Sequence, residues 1–199
     1  MQQPIKHAAL IINTGGKSQF PHSSLRWHHH EFGSSVALSF AGCILTYVSS
    51  ASMRTLICAV RSPGMAEEVD SAPDILIIHL GGNSLCRGGR DRLSFLREIK
   101  RDLATCFIMF PSTRLVFSHI LPRLNWRGQR ARTGYGVEKG RRWINSKVAG
   151  FLAGRQMRCI RHRNICLSHL CRDGVHLSRE GNQLLLGNLR EALREELQS

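Results

Sequence analysis

Acidic residues are what this chain has least of: 14 Asp and Glu stand against 28 Lys and Arg, for a formal charge of +14 and an isoelectric point near 10.5. Between Asp102 and Asp173 the only acid is Glu138, while arginines recur throughout that interval. So basic a balance favours anionic partners such as nucleic acid or a lipid surface, without specifying a fold. A solvated basic surface on the outer helices is the plainer reading. Paired cysteines are absent too. Cys43, Cys58, Cys86, Cys106, Cys159, Cys166 and Cys171 are odd in number and contain no CxxC, so they read as reduced thiols of a cytoplasmic protein and not as a disulfide framework. No long hydrophobic run exists. Val36 to Val48 is the most apolar window, but it is too short to cross a bilayer and holds Ser39, Gly42 and Thr46, which predicts a buried strand or helix. The amino terminus, MQQPIKHAALIINTGG, lacks the basic start and long apolar segment of a signal peptide.

Apolar residues make up 42% of the 199, enough for one domain with a sizeable core. The chain is organised around Pro73 to Ser84, PDILIIHLGGNS. Ile75, Leu76, Ile77, Ile78 and Leu80 form a run too continuous for a strand with one wet face, so a central parallel strand covered by helices is expected. Gly81, Gly82 and Asn83 follow at its carboxyl end, the edge of an open α/β sheet where ligands bind. There glycines admit close backbone approach, and an asparagine amide can donate to a carbonyl oxygen.

The first seventy residues are less regular. Ala8 to Ile12 can form a first strand, followed by Gly15, Gly16, Lys17 and Ser18. This GGKS is not a phosphate loop, because the first glycine of GxxxxGK[ST] would fall on Ile11, where a bulky side chain blocks the tight turn. His28, His29 and His30 adjoin one another, and neighbouring side chains diverge in helix and strand alike; a solvent-exposed loop is expected and a metal site is not.

Beyond residue 70 the periodicities are clear. Leu93, Leu96, Ile99, Leu103 and Phe107 recur at helical spacing over Arg90 to Phe107, with Pro111 beyond. Arg114 to Ile120 is a second buried strand, and a basic loop runs from Pro122 through Tyr135. Val137 to Met157 reads as a helix with Trp143, Ile144, Val148, Phe151 and Leu152 inward. Cys159 to His162 is a short strand. Ser178 caps a final helix carrying Leu184, Leu185, Leu189, Leu193 and Leu197. Alternating strands and helices predict a doubly wound parallel sheet.

Asp173, Gly174, Val175 and His176 form a second constellation. A carboxylate three residues before an imidazole can accept a hydrogen bond from the ring and fix its tautomer, leaving the other nitrogen as a general base. Alone, DxxH is weak evidence. Paired with a Gly-Gly-Asn turn some ninety residues earlier at the same sheet edge, it supplies an oxyanion donor and a base together.

HLGGNS followed by DGVHLSREGNQLLL resembles the third and fifth sequence blocks of the SGNH hydrolases, the GDSL-type esterases and lipases. FSHILPRLNWRG and KGRRWINSKV are similar to the segments between blocks in a branch found in fish genomes, often within retroelement-derived reading frames. The resemblance covers about Pro73 to Leu197. It implies a three-layer α/β/α doubly wound, flavodoxin-like fold without metal or cofactor, acting on a small acyl ester through a covalent acyl-serine. It makes Asn83 an oxyanion-hole donor beside Gly81 and Gly82, His176 the base that activates a serine, and Asp173 the residue that orients His176. The departures are equally definite. No Gly-Asp-Ser occurs in the chain, Ser18 is the only serine in a comparable setting, and Ser84 stands where the third block has an aspartate. Residues 1 to 70 are therefore expected to be a diverged segment supplying the first strands of a sheet that can be incomplete there, with residues 71 to 199 as the hydrolase-like domain. Lacking its nucleophile block, the protein is expected to be a weakened or inactive hydrolase. The competing expectation is a basic module binding nucleic acid through Arg127, Arg130, Arg132, Arg141 and Arg142 near Trp126, Tyr135 and Trp143, of which Trp143 is the one expected in the core.

Overall fold

The computed structural model describes residues 7–12, 27–29, 35–40, 43–49, 74–85, 91–126, 134–155 and 157–198. Among the described residues of the first seventy lie the strands β1 (His7–Ile12), β2 (Trp27–His29), β3 (Ser35–Phe40) and β4 (Cys43–Ser49). Then come β5 (Ile75–His79), helix α1 (Arg92–Met109), β6 (Arg114–Ser118), α2 (Gly134–Ala153), β7 (Arg158–Ile160), a 3-10 turn (Leu167–His169) and α3 (Arg179–Gln198). The strand order is β2-β3-β4-β1-β5-β6-β7. β1 pairs in parallel with both β4 and β5, so β4-β1-β5-β6-β7 reproduces the 2-1-3-4-5 order of flavodoxin-like folds. In that order the direction of winding reverses between β1 and β5, and the carboxyl end of β5 leads into Gly81–Asn83.

The doubly wound α/β fold expected from the sequence is present, with one addition. β2, β3 and β4 are joined antiparallel, so this edge of the sheet is a meander. The apolar window Val36 to Val48 is thereby split into two strands, with Phe40 opposite Cys43. Trp27, His28 and His29 form a strand and not the loop expected for the histidine run, with His28 opposite Ala37; His30 lies outside the described residues. A three-residue edge strand carries too little alternation to register in the sequence.

The chain divides into two compact units, residues 1–79 with 101–116 and residues 80–100 with 117–199. In the first, Ile75, Leu76, Ile77 and Ile78 are each at most 2% exposed, and Leu103, Cys106, Leu115 and Val116 are buried with comparable completeness. A strand covered on both faces can be apolar throughout, as β5 is up to its last residue, His79. In the second, Ile144, Val148 and Leu152 bury one face of α2, while Leu185, Leu189 and Leu193 bury one face of α3. α1 begins at a cap: Asp91 Oδ1 accepts the Leu93 and Ser94 backbone N–H groups at 2.7 and 3.0 Å. α3 begins at Ser178, whose Oγ accepts the Gly181 N–H at 3.1 Å.

Candidate active site

The turn after β5 depends on its glycines. Gly81 has φ of 107°, in the left-handed region, and an added Cβ would meet Ile120 Cδ1 at 2.9 Å and Phe95 Cζ at 3.3 Å. Its carbonyl accepts the Ser84 and Leu85 N–H groups, closing the turn. At Gly82 the missing side chain makes room for the Arg123 guanidinium, 2.6 Å from where a Cβ would stand. Arg123 uses that space to donate from Nη1 to Asn83 Oδ1 at 2.9 Å. The amide is thus fixed by its oxygen, and its donor end, Nδ2, is turned away from the guanidinium. The guanidinium also lies 5.5 Å from the ring centroid of Trp126, which is only 5% exposed and acts as its platform.

The loop before α3 is organised by Asp173. Its Oδ1 accepts the backbone N–H groups of Val175 and His176 at 2.9 and 3.0 Å, and its Oδ2 meets His176 Nδ1 at 2.5 Å. The His176 ring hydrogen bond, with those two backbone donors behind it, holds the Asp173 carboxyl well below the usual carboxylate range. A carboxylate kept ionised here binds the hydrogen on Nδ1, so Nε2 is the basic nitrogen of the neutral ring. Gly174 has φ of 65°, and a Cβ there would lie 2.8 Å from Asn125 Nδ2.

One segment reaches both constellations. Immediately past Arg123, the Leu124 and Asn125 N–H groups donate to Gly174 O at 2.8 and 3.0 Å, and Asn125 Nδ2 donates to Asp173 O at 2.7 Å. The segment is itself anchored at Ile120, whose N–H donates to Asn145 Oδ1 and whose carbonyl accepts from Asn145 Nδ2, both at 3.0 Å. Arg141 Nη1 adds a second bond to that carbonyl at 2.6 Å. Asn83 and His176, far apart in sequence, are thus held through three consecutive residues, 123 to 125. None of these contacts has a local signature in the sequence.

Ser18 lies outside the described residues, and Ser84 is half-buried in the turn. A different serine sits beside a histidine: Ser118 Oγ is 2.7 Å from His162 Nε2, and His162 Nδ1 is 3.0 Å from Asn188 Nδ2. This group was not apparent from the sequence, where Ser118 is one residue of an apolar strand. An amide nitrogen donating to Nδ1 leaves the ring hydrogen on Nε2, pointing at the serine, which is the reverse of nucleophile activation. Ser118 is also fully buried, so the group is a structural network. His119, next along the chain, has a buried Nε2 with no hydrogen-bond partner among the described residues, and burial pushes it down to about 4.

The proposed arginine and aromatic cluster divides. Trp126 is buried, and Arg141 is committed to Glu138 and Ile120 O. Trp143 is half-buried on α2 and not in the core, with Lys147 Nζ 6.0 Å from its ring centroid. Arg142 is exposed, 3.8 Å from Glu138, whereas Arg127, Arg130, Arg132 and the Tyr135 side chain lie outside the described residues. Among the described residues no three His, Cys, Asp or Glu side chains gather as metal ligands, and no helix is long and apolar enough to cross a membrane.

No family model matches this sequence, and no curated protein does. Solved structures do match. A GDSL-like lipase from Bacteroides thetaiotaomicron is 13% identical, with a TM-score of 0.64 over 98% of this chain and 93% of that one. An acylhydrolase-like protein from Bacteroides fragilis is 12% identical, with a TM-score of 0.64 over 96% and 88%. A variant of an acetyl-xylooligosaccharide esterase from Geobacillus is 14% identical, with a TM-score of 0.59 over 92% of each chain. Identities this low speak to architecture alone, and the architecture of this chain is the α/β fold of the GDSL-like lipases and acylhydrolases.

Proposed function

We propose that this protein is an SGNH-type hydrolase-like protein of the cytoplasm, directed at small acyl esters and weakened or inactive because it carries no Gly-Asp-Ser block. The observation that supports this reading is the 2.5 Å contact between Asp173 Oδ2 and His176 Nδ1, tied through Asn125 and Arg123 to Asn83. In this reading His176 Nε2 takes the proton of an attacking serine hydroxyl and Asp173 stabilises the imidazolium that forms. Asn83 Nδ2 donates to the oxyanion, with Gly81 and Gly82 leaving room for the substrate carbonyl. Ser18 is the nucleophile we assign, since it follows β1 as the family's first block follows its opening strand. In this reading residues 1 to 70 are the diverged part, and the likeness of FSHILPRLNWRG and KGRRWINSKV to inter-block segments supports assigning the chain to the retroelement-associated branch in fish.

A fluorophosphonate probe tests this directly, since it reacts only with an activated serine. Slow labelling of the wild type is expected, abolished in His176→Ala and in Ser18→Ala. Loss of one oxyanion donor in Asn83→Ala is expected to slow labelling by about 100-fold. Labelling that survives His176→Ala, or none at any probe concentration, leaves the fold without the chemistry.

A further inference from the structure

An exposed asparagine is a poor oxyanion donor by itself. The oxygen and nitrogen ends of its amide are almost the same size, so packing does not choose between them, and an amide turned end for end presents a lone pair to the developing negative charge. Asn83 is exposed on the turn after β5. Charge decides what size does not. Arg123 Nη1 donates to Asn83 Oδ1 at 2.9 Å, and a guanidinium, with five donors and no acceptor, selects the oxygen end of the amide.

The guanidinium is itself held in place. A Cβ on Gly82 would stand 2.6 Å from Arg123 Nη2 and 3.0 Å from its Cζ, so this close approach needs a residue without a side chain. The ring of buried Trp126, its centroid 5.5 Å from Cζ, supports the planar cation. The backbone past Arg123 is tied down by the Leu124 and Asn125 N–H groups, both donating to Gly174 O. A side chain ordered in this way gives up little further freedom in keeping its bond to Asn83.

We propose that Arg123 is a positioning residue for oxyanion stabilisation, a role that rests on the reading of Asn83 as the oxyanion donor of a hydrolase. By holding Oδ1 it keeps Nδ2 as the end offered to a substrate carbonyl. Its charge also acts through the amide, because a hydrogen bond accepted at the oxygen polarises the group and makes the Nδ2 hydrogens stronger donors. Arg123 thus works on the reaction through Asn83 and not by touching the substrate.

Two readouts on the full-length protein test this. The first is the rate of fluorophosphonate labelling. Arg123→Met, which keeps the aliphatic stem and removes the donors, is expected to slow labelling by about tenfold to 100-fold, the worth of a hydrogen bond to a charged group, and no further than Asn83→Ala does. Added to Asn83→Ala it is expected to cost less than about twofold more, because its effect passes through that amide. Arg123→Lys, which keeps a cationic donor, is expected to recover most of the loss. The second readout needs no serine: the proton and nitrogen resonances of Asn83 Nδ2, assigned by their loss in Asn83→Ala, with and without sodium acetate, whose carboxylate oxygen stands in for the oxyanion. Acetate is expected to shift them in the wild type. In Arg123→Met they are expected to move toward those of an unrestrained amide, with acetate bound about tenfold more weakly, and Arg123→Lys is expected to reverse both changes. Should Arg123→Met lower the melting temperature, Gly82→Ala displaces the guanidinium without altering it and is expected to weaken acetate binding in the same way. Asn83 resonances and acetate binding unchanged in both variants, or an Arg123→Met loss that adds in full to that of Asn83→Ala, overturns the proposal. A wild type that is never labelled overturns the serine chemistry instead, and the amide resonances then decide the role of Arg123.

Discussion

Asn145 tests whether the segment linking the two constellations is held as described. Its side chain, in a residue 4% exposed, accepts from Ile120 N and donates to Ile120 O, both at 3.0 Å. Replacing it with leucine keeps the volume and removes both bonds. The Ile120 N–H then loses its acceptor in a buried position, a loss of about 1–3 kcal/mol, whereas Ile120 O retains Arg141 Nη1 and loses only about 1 kcal/mol. Leucine is the better helix former by about 0.4 kcal/mol, which offsets part of this. A net destabilisation of about 2–3 kcal/mol is expected. With a urea dependence near 2 kcal/mol per molar, the unfolding midpoint should fall by about 1–1.5 M. Ser146→Ala, at the exposed neighbouring position, should move it by no more than about 0.25 M. A midpoint for Asn145→Leu within about 0.3 M of wild type would mean that Ile120 is not held by this amide, and the anchoring of residues 123 to 125 would need another explanation.

Two further expectations concern the loop before α3. Gly174→Ala forces a side chain into φ of 65° and against Asn125 Nδ2 at 2.8 Å, so a loss of about 1–3 kcal/mol is expected, read as a lower melting temperature; an unchanged value would count against the left-handed turn. The Asp173 carboxyl is lowered from its model-peptide value of 3.8, chiefly by the His176 ring hydrogen bond. Its stabilising contribution is therefore complete above about pH 4 and is lost as pH falls through the lower folded value. Stability curves of the wild type and Asp173→Asn should be separated at neutral pH and converge in acid. Curves that stay parallel down to pH 2 would show that the carboxylate gains nothing from the loop.

The sequence discloses whatever is repeated or continuous. The run from Ile75 to Ile78 could be read as a doubly covered strand because four successive apolar side chains have no wet face to serve, and all four are buried. The helices showed through their spacing, with ends displaced by a few residues: Arg92–Met109 against Arg90 to Phe107, and Gly134–Ala153 against Val137 to Met157. Gly154 and Arg155 already form a turn, and Gly154, just past the last helical residue, marks an end that the apolar spacing alone overran. The Ser178 cap was legible because a hydroxyl just before a helical run has one common use. The β2 to β4 meander was not, since serines interrupt its short strands and erase the alternation that marks an exposed face. The site followed the same division. Asp173 and His176 are near neighbours, so their bond is a local matter, whereas the bond from Arg123 to Asn83 spans 40 residues and depends on a gap left by Gly82.

The basic excess looks different once individual arginines are placed. Charge counts alone suggest a surface awaiting phosphate, yet several guanidinium groups are already committed within the second unit. Arg123 fixes Asn83, Arg141 binds Glu138 and the Ile120 carbonyl, and Arg158 reaches Glu195 at 2.9 Å and the buried Glu196 at 3.4 Å. Arg155 lies 3.9 Å from the Phe151 ring centroid while donating to the Phe151 carbonyl. A planar, five-donor cation suits these tasks, because it can satisfy a backbone carbonyl or an amide oxygen and a carboxylate or an aromatic face together. An arginine used in this way still counts fully toward a net charge of +14, but binding phosphate would require it to abandon a contact that orders a loop or a helix. Net charge thus overstates the affinity for polyanions in proportion to how many arginines act as internal donors. Among the described residues, Arg123 at the Gly-Gly-Asn turn and Arg141 on α2 are spent in this way, holding the candidate site in place.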